Sequence, residues 1–174
     1  MTSDALTDRL VCFNHGKESG PWGTKISRLA AVARACGFAV ISPDYSHTHD
    51  PHSRLHQLVD EVQPRAQTLV LVGSSMGGYV AAQACSALKP DALFLMAPAL
   101  YFDGWTEEPE GLPADIEVVH GWHDDVVPLA NVQRFAARHH AALHVADADH
   151  GLTAAMDTIE ALFARQLQRR HATP

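Results

Sequence analysis

The chain has 174 residues and a mass of 18.9 kDa, which fits one domain over 1–174 and is long enough to bury a core. With 47% hydrophobic and 19% charged residues it lies outside the regime of disordered chains. Thirteen Lys and Arg against twenty Asp and Glu leave a net charge of −7, a field that repels phosphate backbones and anionic membrane and so disfavours nucleic-acid or membrane partners. Met1 to Asp8 holds no Lys or Arg and no long apolar run, so no signal peptide is visible. Cys12, Cys36 and Cys85 are odd in number, far apart and set in apolar segments. They read as reduced thiols of a cytoplasmic protein.

Apolar runs alternate with helical periods along the chain, the pattern of strands crossed over by helices and hence of a mostly parallel sheet. Leu10–Asn14 is the first expected strand, followed by His15-Gly16 and a polar loop. Trp22–Cys36 then keeps helical spacing at Ile26, Leu29, Ala30, Ala33 and Cys36, and Gly37 suits its end. Phe38–Ser42 is the second strand. After a loop over 43–51, Ser53 is the expected cap of a helix with Leu55, Leu58, Val59 and Val62 on its face, stopped by Pro64.

Thr68–Val72 is the third strand. The run Thr68–Leu88 is nearly uncharged, but Gly73, Ser74, Ser75, Gly77 and Gly78 interrupt it, so it reads as strand, tight turn and a helix over Tyr79–Leu88 rather than a membrane span. Ala92–Met96 is the fourth strand. The acidic stretch 103–115 carries no Lys or Arg and reads as an exposed loop or short cap. Ile116–His120 is strand five, Leu129–Arg138 a helix, Leu143–Ala146 strand six and Leu152–Arg170 a closing amphipathic helix.

Chemistry concentrates after the third strand, where Gly73-Ser74-Ser75-Met76-Gly77 is Gly-x-Ser-x-Gly between a strand and a helix. A serine on such a sharp turn projects its hydroxyl above the sheet, and the flanking glycines leave room for neighbouring backbone. A serine hydroxyl is a poor nucleophile at neutral pH, so it needs a histidine to take its proton and a carboxylate to orient that histidine. Strand five is followed by His120-Gly121-Trp122-His123-Asp124-Asp125-Val126-Val127-Pro128, and strand six by Asp147-Ala148-Asp149-His150-Gly151. The order Ser75, Asp124, His150 is the one this arrangement requires. His139 and His140 precede strand six and His144 lies inside it, which leaves His150 as the base. Asp125 and Asp103 remain alternative acids; spacing from Gly121 and Val127-Pro128 favours Asp124.

These motifs, together with His15-Gly16 after the first strand, resemble the small, nearly lidless serine hydrolases of the α/β-hydrolase fold. The elbow Gly-Ser-Ser-x-Gly-Gly-Tyr is also shared, in a partial likeness, with esterases of the bacterial YqiA group. The resemblance covers almost the whole chain. It implies a three-layer α/β fold with helices on both faces and a sheet in the order 2-1-3-4-5-6, trimmed to about six strands because about nine residues precede the first strand where relatives carry two further strands, and a minimal lid because only Ala97 to Asp115 follows strand four where relatives insert one. It also implies an oxyanion hole from the amides of Met76 and of Lys17, or less readily Glu18, and an acyl-enzyme on Ser75.

Around that centre, His15, Gly16, Trp22, Tyr101 and Trp122 are the expected substrate-binding residues, with Tyr45, Phe102 and Trp105 in or beside the same loops. His47, His49, His52 and His56 invite a metal reading, but a Ser53 cap leaves His52 outside the helix, so His52 and His56 would not share a face; no metal or cofactor is expected. The expected partner is a small ester or thioester. The oligomeric state is not encoded in these features. A non-catalytic binding protein on the same fold, using the acidic loop as a contact surface, and a triad-based acyltransferase or lyase are the competing functions.

Overall fold

A computed structural model describes residues 8–63, 66–102 and 104–171. Asp103, the alternative acid, and Pro64, the expected helix stop, lie outside these residues. Six strands form one parallel sheet: β1 (Arg9–Asn14), β2 (Ala39–Ile41), β3 (Thr68–Ser74), β4 (Ala92–Met96), β5 (Ile116–Gly121) and β6 (Ala142–Ala146). Their order is β2-β1-β3-β4-β5-β6. The chain leaves β1 toward β2 on one side and then continues from β3 on the other. The crevice at the carboxyl ends of β1 and β3 is therefore the topological switch point, where α/β sheets hold their ligands.

Both faces of the sheet are covered, so its central strands are apolar at every position rather than at alternate ones. Leu10, Cys12, Leu69, Leu71, Leu93 and Leu95 face α2 (Pro51–Val62), α3 (Met76–Gln83), α4 (Cys85–Leu88) and α5 (Leu129–His139). Their neighbours Val11, Phe13, Val70, Val72, Ala92 and Phe94 face α1 (Thr24–Ala35) and α6 (Met156–His171), which follows a 3₁₀ turn at Thr153–Ala155. Each fully buried Leu, Val or Phe contributes about 1.5–3 kcal/mol, so this two-sided core dominates the stability of the sheet. Across the far face, Arg28 of α1 pairs with Glu160 at 2.6 Å and Asp157 at 2.9 Å of α6.

Helix starts differ from the sequence reading: α1 begins at Thr24 rather than Trp22 and α6 at Met156 rather than Leu152, and α2 and α3 differ for identifiable reasons. Asp50, not Ser53, caps α2: its carboxylate accepts from the Ser53 amide at 2.8 Å, and Pro51 occupies the first turn, where its missing amide costs nothing. His52 and His56 are consequently both helical, one turn apart on a shared exposed face, contrary to the expectation that they would not be. No cluster of His, Cys, Asp or Glu suited to a metal is assembled among the described residues. The helix after β3 begins at Met76 rather than Tyr79, because Gly77 and Gly78 do not break it but let it lie against the sheet. No described helix is long and apolar enough to cross a membrane.

Candidate active site

Ser75 joins β3 directly to α3 at φ 53° and ψ −120°, a conformation that is strained for any residue with a side chain. Its amide donates to Met96 O at 3.0 Å, and its carbonyl accepts from Gly78 N at 2.9 Å and Ala99 N at 3.0 Å. Those bonds lock the turn against β4. Close packing supplies the rest: a Cβ on Gly73 would sit 2.3 Å from Gly77 O, and one on Gly77 would sit 1.9 Å from Asn14 O. The helix therefore starts where it does only because these positions lack side chains.

The Ser75 hydroxyl lies 3.0 Å from His150 Nε2, and His150 Nδ1 lies 2.8 Å from Asp124 Oδ2. A carboxylate only accepts, so the proton sits on Nδ1 and Nε2 is free to accept from Ser75. Asp124 Oδ1 accepts from the amides of Val126 at 2.9 Å and Val127 at 2.8 Å. Burial raises the Asp124 pKa, but the Val127 amide, His150 and the Val126 amide together outweigh it and hold the carboxyl below its usual range. Asp125 is exposed, and the carboxylate bonded to His150 is that of Asp124. Behind Asp124, fully buried His120 places Nε2 3.0 Å from Val127 O and 3.4 Å from Asp124 Oδ2. Burial lowers its pKa, and Val127 O requires that Nε2 carry the proton. Of the other late histidines, His139 meets Glu108 at 2.7 Å and His144 meets Glu117 at 2.5 Å, both away from Ser75.

A cavity of about 600 Å³ opens over Ser75. Its wall includes His15, Gly16, Lys17, Met76, His150, Phe102 and Trp105. Of the expected substrate-binding residues, His15 and Gly16 line it, whereas Trp22, Tyr101 and Trp122 do not. Trp22 and Trp122 turn outward, 47% and 61% exposed, and Trp22 lies under Arg34. Tyr101 is held under Arg134 and donates to Glu108 at 2.7 Å. Tyr45 is buried beneath the site, donating to Asn14 Oδ1 at 2.7 Å. The acidic stretch is tethered: Glu107 accepts from the Tyr79 hydroxyl and Glu108 meets Arg138 at 3.2 Å. Trp105 packs on the Tyr79 ring and bridges to Phe102, and both line the cavity.

Three residues near the site carry no motif. Lys25 lines the cavity, and burial lowers its pKa while Asp149 and Asp124 oppose the shift. His120 lies behind Asp124. Arg54 is completely buried beneath the β1 loop, on the row formed by Arg54, Leu58 and Val62. A lone arginine four residues before a core leucine was the available signal.

The fold recurs in solved structures. A member of the alpha/beta hydrolase superfamily from Xanthomonas campestris pv. campestris is 32% identical, with a TM-score of 0.85 over 92% of this chain and 99% of that one. An α/β serine hydrolase without a lid, also from Xanthomonas campestris, is 22% identical, with a TM-score of 0.76 over 99% of this chain and 88% of that one. An esterase from Pyrococcus furiosus is 17% identical, with a TM-score of 0.80 over 94% of this chain and 82% of that one. At the last two identities the likeness is one of fold. Among curated proteins none matches the sequence. Residues 10–173 match the family model of alpha/beta hydrolases, and with nearly the whole chain so accounted for, the protein belongs to the alpha/beta hydrolase family.

Proposed function

We propose that the protein is a serine hydrolase that cleaves a small carboxylic ester or thioester through an acyl-enzyme on Ser75. The observation that carries this reading is the unbroken chain Ser75 Oγ–His150 Nε2 at 3.0 Å and His150 Nδ1–Asp124 Oδ2 at 2.8 Å, opening into a cavity large enough for a small substrate. In the first half-reaction Ser75 Oγ attacks the acyl carbon while its proton passes to His150 Nε2. The carbonyl oxygen gathers negative charge, for which the amide of Met76, the first of α3 and without an intrahelical acceptor, and that of Lys17 are the donors. The tetrahedral intermediate collapses, and the alcohol or thiol leaves with the proton from His150. Water then enters, gives its proton to the same nitrogen and releases the acid from Ser75. Asp124 keeps the imidazole in the required tautomer and offsets its charge when protonated.

An ester or thioester is favoured over an amide because the cavity is capped by one short segment, leaving few remote contacts to drive amide cleavage. The free thiols of Cys12, Cys36 and Cys85 support a reducing, cytoplasmic setting. The test is labelling of the purified protein with a fluorophosphonate, together with hydrolysis of p-nitrophenyl acetate and octanoate. Labelling and turnover should both be lost in Ser75→Ala, and turnover should fall by at least about 10³-fold in His150→Ala. A folded wild-type protein that neither labels nor turns over would instead favour a binding role for the fold.

A further inference from the structure

Arg54 is the largest completely buried side chain described. No carboxylate among the described residues lies within ion-pairing distance of it. Its guanidinium donates to main-chain carbonyls alone: Nε to Thr48 O at 3.0 Å, Nη1 to His15 O at 3.2 Å and Gly16 O at 3.1 Å, and Nη2 to Lys17 O and Tyr45 O, both at 3.4 Å. A buried cation without an ion-pair partner is costly even though the charge of Glu18 acts on it from a distance, and a leucine or methionine on this row of α2 would fill the core at no such cost. Packing therefore does not account for an arginine here.

Three of the five acceptors are consecutive carbonyls, those of His15, Gly16 and Lys17. His15 adds a second donor to the middle one. Its Nε2 accepts from the Tyr45 amide at 2.9 Å, so the ring is neutral with its proton on Nδ1, which donates to Gly16 O at 2.8 Å. In a trans peptide the carbonyl and the amide point in opposite directions. Gathering three carbonyls on the guanidinium thus turns the amides of Gly16, Lys17 and Glu18 the other way. None of those amides donates to a protein acceptor among the described residues. The loop also lies against the elbow, since a Cβ on Gly16 would fall 3.6 Å from both Ser75 Cβ and Ser74 O.

We infer that Arg54 is the positioning residue of the oxyanion hole: from behind the loop it fixes and polarises the peptide between Gly16 and Lys17, so that the Lys17 amide joins that of Met76 in facing the reacting carbonyl oxygen. The inference rests on the serine-hydrolase reading above. A guanidinium suits the task because its fork reaches several carbonyls at once, and its charge strengthens the amide dipoles on the far side of each peptide. It touches no substrate and acts through the loop.

The test compares wild type with Arg54→Met, which keeps volume without donors, and Arg54→Lys, which keeps the charge without the fork. For variants whose circular dichroism and melting show a folded protein, kcat on p-nitrophenyl acetate and affinity for butylboronic acid are measured; the boronate adduct on Ser75 places a negative oxygen where the oxyanion forms. Arg54→Met should lower kcat by about 10²-fold with KM within about threefold, and weaken boronate binding by a similar factor. Arg54→Lys should recover part of both losses. A folded Arg54→Met with kcat within about twofold of wild type overturns the inference, as does a loss confined to KM with boronate affinity intact. If neither variant folds, the wild type decides by nuclear magnetic resonance. On adding butylboronic acid, the Lys17 amide and the Arg54 guanidinium resonances should move together, and a guanidinium that stays still removes the proposed coupling. A wild type silent toward both ester and fluorophosphonate would defeat the hydrolase reading itself, a result distinct from any difference between variants.

Discussion

Two neighbouring loops at the carboxyl edge of the sheet are held by opposite means. The turn at Ser75 is fixed by backbone against backbone, with Gly73 and Gly77 packed so tightly that neither tolerates a Cβ. The loop after β1 is fixed by side chains, Arg54 and His15, that bind its carbonyls from below. The first device is local and steric, and it contains no titratable group. The second reaches across 39 residues of sequence between His15 and Arg54 and depends on charge and protonation. A sharp turn can therefore be fixed by omitting side chains, whereas this loop is oriented by adding them.

The carboxylate loop combines both devices, with Asp124 held by the amides of Val126 and Val127 and Gly121 pressed against Ala148 O. Asp124→Asn keeps an acceptor for those amides but offers His150 a donor or a weaker acceptor, so kcat on p-nitrophenyl acetate should fall about 10³- to 10⁴-fold while the melting temperature changes little. Next in size, Gly77→Ala should lose about 3 kcal/mol or more in urea unfolding, because its new methyl group meets the Asn14 carbonyl. A wild-type midpoint for Gly77→Ala would break the steric account of the elbow.

Acid should separate the two loops. Burial lowers the pKa of His15 below its usual 6.5, with the Gly16 carbonyl and Asp44 opposing and Arg54 reinforcing the shift. The unfolded chain therefore binds more protons than the folded one once pH drops below about 6.5, and stability declines from there down to the folded pKa. His120 shifts in the same direction and adds to the slope. The melting temperature should fall between about pH 7.5 and pH 5.5, and fall less steeply in His15→Asn, which keeps a donor for Gly16 O without the titrating ring. An unchanged slope in His15→Asn would show that His15 does not hold its loop in the manner described. The smallest effect belongs to Gly16→Ala: its added methyl group meets only ordinary contacts at 3.4 Å and beyond, so unfolding should shift by no more than about 0.5 kcal/mol, in contrast to Gly77→Ala.

Much of this was legible without coordinates. Strand and helix periods, the Gly73-to-Gly77 spacing and the acid and histidine loops are local patterns, because a period of two or 3.6 and the demand for a residue without Cβ act over a few neighbours. The motif resemblance carried the strand order, and the sheet has that order. Local pattern failed where two local solutions compete, as at the start of α2, where both Asp50 and Ser53 can cap and Pro51 decides in favour of Asp50. It failed again for the aromatic residues: Phe102 and Trp105 reach the cavity and Trp22, Tyr101 and Trp122 do not, an outcome set by tethers such as Glu107 to Tyr79 and Tyr101 to Glu108.

By itself the sequence determined the alternation of strands and helices, the glycine-flanked serine and the chain order of the three polar residues, since each is encoded within a few adjacent positions. Only the tertiary structure decided that His150 meets Ser75 across 75 residues and that a buried arginine on the second helix holds the first loop. The reason is physical: burial, charge and hydrogen-bond direction at those positions belong to the surroundings the fold assembles, and no short stretch of chain contains them.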